Sequence, residues 1–393
     1  MQDELKNVID QYVNLVESDE NTRRQQFWQP EPVWSRDKFR RIATPIAETG
    51  YAPVVADPGP TIWAKVFNFN VKDYYTKPEA YLLNYFKSMI ALFEMNDDTT
   101  LDKVIPFWPG TSFESSLFGM ETVYHDFEDP WVGREVAIKE KSDLDKLVFP
   151  DFYKSGLMPM IHRFYEDVNN LLAPWGCRMD FPHITRAPYG IAFHLRGFAD
   201  LAMDMMDDPE WMHKLMRFIT DSRKKWYEDR AKFLNEPIPK VQLFNDEVDC
   251  NVISPKIYRD FIWPYEKELS KFHGGVAYWH SCGNIAPVLE LIRQIPNVDM
   301  INISSWTDYH IAAELCPDIP LEICVRPTDD VYLATQDKME SKIKDIMDTC
   351  MAKNVKSFHV RAGSLQSFFG TVDEDLAKAK EWVSVAKKVT KLS

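Results

Sequence analysis

The chain has 393 residues, of which 45% are apolar and 13% aromatic, enough for a large core in one domain or two. Its formal net charge is -14 and no basic block interrupts it, which argues against nucleic acid or anionic lipid as a partner. The N-terminus is acidic and helix-periodic, no apolar run approaches the ~20 residues of a membrane span, and six scattered cysteines do not form a disulfide framework, so we expect a cytoplasmic protein.

Short strand-like runs alternate with longer helix-periodic stretches from about residue 100 onward. Residues 1–60 are predicted to form an N-terminal helical extension, and residues 61–393 a single domain. The predicted strands are 61–67, 104–108, 176–181, 240–245, 275–280, 299–304, 320–325 and 357–362.

This alternation is typical of successive β-α units around a parallel sheet. About eight strands, each feeding a helix, favour a closed (β/α)8 TIM barrel over an open doubly wound sheet, because the sequence contains no Gly-x-Gly-x-x-Gly turn and no P-loop. In such a barrel the active-site groups lie at the carboxyl ends of the strands.

The stretch "HSCGN" follows the predicted strand 275–280 and sets His280 and Cys282 two residues apart. Three interpretations remain open: two metal ligands, a catalytic thiol with its base, or two packed residues of a turn. An acidic stretch, "NDEVD", follows the preceding strand. Its Glu247 is a candidate third ligand and its Asp246 a candidate general base, although a solvated acidic turn would have the same sequence.

Other polar residues also follow predicted strands or lie in the segment 183–198. Arg326 and Arg361 could hold a carboxylate or polarise a carbonyl, or each could be half of a structural ion pair. His359 is a second candidate base. The predicted substrate-binding residues are Trp63, His183, Arg186, Tyr189 and His194.

Four stretches resemble the uroporphyrinogen decarboxylase superfamily, whose members are single (β/α)8 barrels. They are "PYGIAFHLRGF", "NDEVDCNVISPKIYRDFIWPYEKEL", "HSCGNIAPVLELI" and "FFGTVDEDLAKAKEWV", and the resemblance runs from about residue 60 to the end. The second and third are closer to the metal-dependent, methyltransferase-like branch than to the decarboxylases.

In that branch, the resemblance implies that His-x-Cys supplies two zinc ligands and that a cysteine after the last strand supplies a third. Here the corresponding stretch, "SFHVRAGSLQSFFG", has no cysteine. We therefore expect a divalent ion, Mn or Zn, held by Glu247, His280 and Cys282. The resemblance also implies a homodimer.

Our leading hypothesis is a metal-dependent hydrolase that opens a small cyclic 1,3-diketone by carbon-carbon cleavage, of the dihydrophloroglucinol cyclohydrolase type. In this scheme Asp246 or His359 is the base, and Arg326 or Arg361 holds the developing oxyanion. The alternative enzyme is a zinc-dependent methyltransferase that moves a methyl group between a methylated substrate or corrinoid and an acceptor, with a corrinoid protein as partner. A non-catalytic binding module is the third hypothesis.

Overall fold

The computed structural model describes residues 2–33 and 40–392. It begins with helices α1 (Gln2–Val16) and α2 (Asp19–Gln25), and Ser18 caps α2 by accepting a hydrogen bond from the amide of Asn21. An antiparallel hairpin of β1 (Trp28–Val33) and β2 (Arg40–Ala43) follows. The predicted N-terminal helical part is therefore present, and a β-hairpin accompanies it.

Strands and helices alternate along the rest of the described chain. The strands are β3 (Val54–Pro58), β4 (Val104–Ile105), β5 (Thr122–Val123), β6 (Trp131–Val132), β7 (Arg178–Met179), β8 (Val241–Phe244), β9 (Val276–His280), β10 (Ile301–Ile303), β11 (Leu321–Val325) and β12 (Phe358–Leu365). The helices are α3 (Ile46–Thr49), α4 (Pro60–Phe67), α5 (Val71–Thr76), α6 (Pro78–Glu94), α7 (Phe113–Ser116), α8 (Met158–Leu172), α9 (Pro188–Arg196), α10 (Phe198–Asp207), α11 (Pro209–Leu234), α12 (Pro255–Ile257), α13 (Trp263–His273), α14 (Leu289–Ile292), α15 (Tyr309–Leu315), α16 (Gln336–Ala352) and α17 (Val372–Val389).

Parallel strands curl into a barrel. Six of those in the described part of the chain form one sheet in the order β3-β12-β11-β10-β9-β8, and β4 pairs in parallel with β7. A parallel bridge between Arg186 and Phe244 joins the segment after β7 to β8, and the carbonyl of Val54 accepts a hydrogen bond from the amide of Asp98, shortly before β4. The prediction of a (β/α)8 barrel is confirmed.

The predicted strand at 61–67 is wrong, because these residues lie in helix α4. Pro60 occupies the first helical turn, where its fixed φ favours a helix and its missing N–H costs no hydrogen bond. The barrel strand in this part of the chain is β3 instead. It lies directly before α4 and therefore ahead of the predicted domain boundary at residue 61. The other seven strands lie within or overlap the predicted ranges, and β4 keeps only two residues of its range.

Polar side chains enter the barrel interior. On β11, Leu321 and Ile323 join the large hydrophobic cluster, whereas Glu322 and Cys324 border cavities. Successive side chains of a strand point to opposite faces. Leu321 and Ile323 therefore pack toward the surrounding helices, and Glu322 and Cys324 face the interior. Among the described residues, we find no helix whose length and apolar character would suit a membrane span.

Candidate active site and metal centre

The loops after β8 and β9 lie side by side. The parallel register pairs Phe244 with His280, and the amide of Asn245 donates to the carbonyl of His280 at 2.7 Å. The two strands therefore end at the same level. This alignment brings the acidic turn after β8 next to the His280–Cys282 turn after β9.

Three side chains converge between these loops: Asp246, His280 and Cys282. His280 Nε2 lies 3.1 Å from Asp246 Oδ1, and the Cys282 sulfur lies 3.3 Å from the same oxygen and 3.4 Å from His280 Nε2. One donor atom from each residue falls within 4.8 Å of the other two. Cys282 is exposed, and the other two side chains are partly buried.

Close packing fixes the Cys282 loop. A Cβ atom on Gly283 would lie 2.5 Å from the Cβ of Asp249, so only glycine fits without a shift. The carbonyl of Gly283 accepts hydrogen bonds from Ser304 Oγ at 2.6 Å and Thr307 Oγ1 at 3.1 Å. The loop that carries Cys282 is therefore held by the two neighbouring strand ends.

Glu247, the predicted third ligand, lies outside this group of donor atoms. Its carboxylate pairs with the Arg186 guanidinium and lies 3.8 Å from His194 Nε2. It also packs on Gly190, where an added Cβ would lie 2.3 Å from Glu247 Oε2. The structure thus brings Asp246, the predicted base, next to His280 and Cys282, and turns Glu247 toward helix α9.

A cavity of about 430 Å³ opens at the carboxyl ends of the strands, and we call it the mouth cavity. This volume suits a small-molecule ligand. It is lined by both polar and aromatic side chains: Arg40, Asp57, Thr61, Trp108, Asp129, Phe244, His280, Ser281, Cys282, Asn302, Ser304, Ser305, Trp306, Cys324, Ser364, Gln366 and Arg361, with parts of the loops 59–60, 325–327 and 363–365.

Glu322 is the centre of a buried network beneath the mouth cavity. Its carboxylate accepts hydrogen bonds from Arg361 Nη1 at 3.0 Å and Asn302 Nδ2 at 2.8 Å, and also from Arg40 and the Tyr278 hydroxyl. Burial by itself would raise the pKa of Glu322, but the charge of Arg40 and the hydrogen bonds hold it well below its usual range. The carboxylate therefore stays ionised.

The three other predicted catalytic residues occupy different depths. Arg361 lines the mouth cavity and pairs with both Asp57 and Glu322. His359 lies deeper, with Nε2 3.1 Å from Glu322 Oε2, and borders a separate small cavity. Arg326 is exposed at the rim, where its Nε donates to the carbonyl of Ser305 at 3.2 Å.

The predicted substrate-binding residues do not line the mouth cavity. Trp63 packs against Phe67 at a ring distance of 6.0 Å, and Arg186 pairs with Glu247. His194 Nδ1 lies 2.7 Å from Ser115 Oγ, and burial lowers the pKa of His194 to about 3. Burial and the nearby Glu247 charge raise the pKa of Tyr189 to about 12.

His183 lies at the opposite end of the barrel. It borders a cavity of about 680 Å³ among the amino ends of β4, β7, β8 and β9, which we call the basal cavity; its lining also includes Glu31, Arg41, Asp102, Arg178, Asp180, Lys240, Gln242 and Asp299. His183 Nε2 lies 3.1 Å from Arg230 Nη2 and 3.5 Å from Asp180 Oδ2. Burial and the Arg230 charge lower the pKa of His183 to about 4.

Sequence reasoning missed Glu322, Asp57 and Arg40. Glu322 and Asp57 each stand inside an apolar strand, "PLEICV" and "VVADP", and a charged residue in such a run is rarely buried unless it is paired. That pattern could have indicated both carboxylates. No comparable signal marks Arg40, because its contacts are more than 200 residues away in the sequence.

The converging donors fit a divalent metal ion. Carboxylate oxygen, imidazole nitrogen and thiolate sulfur are all ligands of Zn²⁺, and a set of three protein ligands leaves a position for a substrate or water. One sulfur with one oxygen and one nitrogen is also compatible with harder ions such as Mn²⁺. The chemistry of Asp246, His280 and Cys282 therefore suits the class of ion that the sequence predicts.

Comparison with known proteins agrees with this architecture. The structure is similar to a methyltransferase from Methanosarcina mazei, with a TM-score of 0.59 and 13% sequence identity, over 86% of this chain and 94% of that one. A search of curated proteins finds no match. The family model described as uroporphyrinogen decarboxylase (URO-D) matches residues 71–386. The chain belongs to the uroporphyrinogen decarboxylase family.

Proposed function

We propose that this protein is a metal-dependent methyltransferase whose active site is the mouth cavity. The observation that carries the proposal is the convergence of Asp246, His280 and Cys282 within 4.8 Å at the ends of β8 and β9. The structural similarity to a methyltransferase supports methyl transfer over the hydrolysis that the sequence first suggested.

Asp246, His280 and Cys282 would hold the ion. A bound divalent ion supplies a Lewis acid that lowers the pKa of a thiol or water and polarises an oxygen atom. Arg361, fixed by Asp57 and Glu322, would orient an anionic part of the substrate at the side of the cavity. Trp108 and Phe244, both buried, would exclude water from the methyl group.

In the proposed reaction, a bond from the acceptor sulfur to the methyl carbon forms, the bond between the methyl group and its donor breaks, and the electron pair of that bond stays on the donor. The thiol proton leaves to solvent. The ligand set has one thiolate, so the acceptor thiol gains less electron density than it would beside two thiolates. We therefore expect slow turnover with weakly acidic thiols.

The test is a demethylation assay with metal-loaded protein, methylcobalamin and 2-mercaptoethanol, followed by the corrinoid absorbance and the methyl thioether formed. We expect zinc-dependent turnover that His280→Ala abolishes together with stoichiometric zinc. His310→Ala is the matched control, because His310 lies on the outer helix α15 and should not affect either readout. A methylated corrinoid that stays methylated with every thiol offered would rule the proposal out.

Hydrolytic ring opening of a cyclic 1,3-diketone is the second candidate. Asp246 favours it, because an oxygen ligand makes the site harder and better suited to Mn²⁺ and a water nucleophile. Water would add its hydroxyl to one carbonyl carbon and its proton to the carbon released by C–C cleavage. Conversion of 1,3-cyclohexanedione to 5-oxohexanoate by the manganese-loaded protein, and not by His280→Ala, would favour this reaction over methyl transfer.

A homodimer and a docked corrinoid protein are further parts of the proposal, the second only for the methyltransferase. The non-catalytic hypothesis makes a different prediction. Under it, His280→Ala would leave small-molecule affinity unchanged and no metal would support turnover.

A further inference from the structure

Asn302 is a buried amide in the wall of the mouth cavity. It lies on β10, between β9 and β11, and only 1% of its surface is exposed. Its Nδ2 donates to Glu322 Oε1 at 2.8 Å and lies 3.2 Å from the Cys324 sulfur. Both partners belong to β11, so the amide nitrogen faces that strand.

The orientation of this amide is fixed by charge. Glu322 is ionised and can only accept hydrogen bonds, so the nitrogen of Asn302, and not its oxygen, must face it. The oxygen Oδ1 is consequently directed away from β11. It is buried and has no hydrogen-bond partner among the described residues. A buried acceptor in this state favours any ligand that brings a donor to it.

We propose that Asn302 Oδ1 is a specificity-determining acceptor that binds a hydroxyl group of the substrate. The inference deepens the proposed function, because it requires that the mouth cavity binds the substrate. It assigns a substrate class to this cavity: small molecules with a neutral hydroxyl on a flat ring.

Charge selects a hydroxyl over an ammonium group. Arg40 and Arg361 both contact the Glu322 oxygen that Asn302 also contacts, so two guanidinium groups lie near the amide. Glu322 and Asp57 already balance these two charges, so a cationic donor would add an unpaired charge beside the buried amide. A hydroxyl supplies the donor without a charge.

Aromatic side chains of the same cavity favour a ring. Trp108, Phe244 and Trp306 line it, and the ring of Phe244 lies 4.9 Å from that of His280, one of the proposed ligands. Flat apolar faces next to a few polar groups are typical of sites that bind cyclic small molecules.

The experiment compares two rings of similar size, 1,3-dihydroxybenzene and 1,3-difluorobenzene, which differ in their hydroxyl donors. Dissociation constants are measured by ligand-observed NMR titration of the parent full-length protein and of Asn302→Leu. The ratio of the two dissociation constants measures how strongly a protein prefers the hydroxylated ring. We expect this ratio to be at least about tenfold larger for the parent than for the variant, since a site built to bind a hydroxyl discriminates against its absence.

Gln242→Leu is the matched control. Gln242 is another buried strand amide whose carbonyl oxygen has no hydrogen-bond partner among the described residues, but it borders the basal cavity. It should keep the parent's preference. If Asn302→Leu fails to fold, Asn302→Ser replaces it, because serine retains a donor and withdraws the amide oxygen.

Two outcomes overturn the inference: a parent protein without preference for the hydroxylated ring, or a preference that survives in the folded Asn302 variant. Metal content, measured on the same samples, separates this result from the proposed function. A metal-free parent that keeps the Asn302-dependent preference contradicts the metal enzyme and retains the binding site. A metal-containing parent with no preference for the hydroxylated ring contradicts the binding site and retains the metal enzyme.

Discussion

The two ends of the barrel use charged residues in opposite ways. At the basal cavity, opposite charges neutralise one another: Arg41 Nη2 donates to both carboxylate oxygens of Asp102 at 2.7 and 2.9 Å, and Lys240 pairs with Asp299 at 2.7 Å. At the mouth, side chains with metal-ligand chemistry converge on one another. Ion pairs of the first kind serve the fold, whereas converging donors of the second kind indicate a site, as expected for the carboxyl end of a barrel.

The largest effect of a single substitution is expected in the buried network of Glu322 beneath the mouth cavity. Glu322→Gln removes the carboxylate that compensates Arg40 and Arg361 and leaves two buried guanidinium groups with less neutralising charge. We expect a loss of about 3–5 kcal/mol in the free energy of unfolding, measured by urea denaturation. Glu314→Gln, in an exposed pair on α15, is the control. A loss no greater than that of the control would contradict a structural role for the network.

A change at the metal centre should act on metal binding instead of stability. Cys282→Ser is expected to reduce metal affinity by more than about 100-fold, or about 2.7 kcal/mol, because second-shell changes alone cost about 10–100-fold. Cys282 is exposed in a loop and buries little apolar surface, so the unfolding free energy should change by less than about 1 kcal/mol. Elemental analysis and metal titration measure the metal affinity of Cys282→Ser, with Cys250→Ser as the control variant. Equal metal content in both variants would exclude Cys282 as a ligand.

The basal end should show its role in the pH dependence of stability. The pKa of His183 is about 4 in the folded protein and about 6.5 when unfolded, so below pH 6.5 the unfolded chain binds a proton that the folded one does not. Stability should therefore fall as the pH drops from 6.5 to 4. His183→Gln should remove about 2 kcal/mol of the loss between pH 7 and 5, measured by urea denaturation. An unchanged pH dependence in this variant, with exposed His310→Gln as control, would show that His183 is not the group responsible.

The smallest effect is expected at the exposed ion pair of the basal cavity. Lys240→Met should cost less than about 1 kcal/mol, because both partners are partly solvated and the pair is screened by salt. Metal content should not change. A loss of metal or activity in this variant would mean that the two ends are coupled.

Much of the fold was predictable from local sequence signals, and the exceptions are informative. Seven barrel strands were recognised because apolar runs of four to eight residues between helix-periodic stretches are typical of buried parallel strands. The run "TIWAKVF" had the same composition but follows Gly59 and Pro60, and the helical start signal prevailed. The polar interior was largely missed, since local patterns do not reveal which distant charges meet.

The barrel class and the two loops of the candidate site follow from local features of the chain, namely strand periodicity and the "HSCGN" and "NDEVD" stretches. Long-range contacts are needed to see that Asp246, and not Glu247, meets His280 and Cys282, since adjacent residues of a turn point in different directions and Arg186 holds Glu247. Such contacts also set which strand-end residues share a cavity. His183 and Arg361 are similar candidates in sequence, yet they lie at opposite ends of the barrel, because Arg186 bridges to Phe244 at the end of β8, and His183, three residues earlier, reaches only the level of the start of that strand.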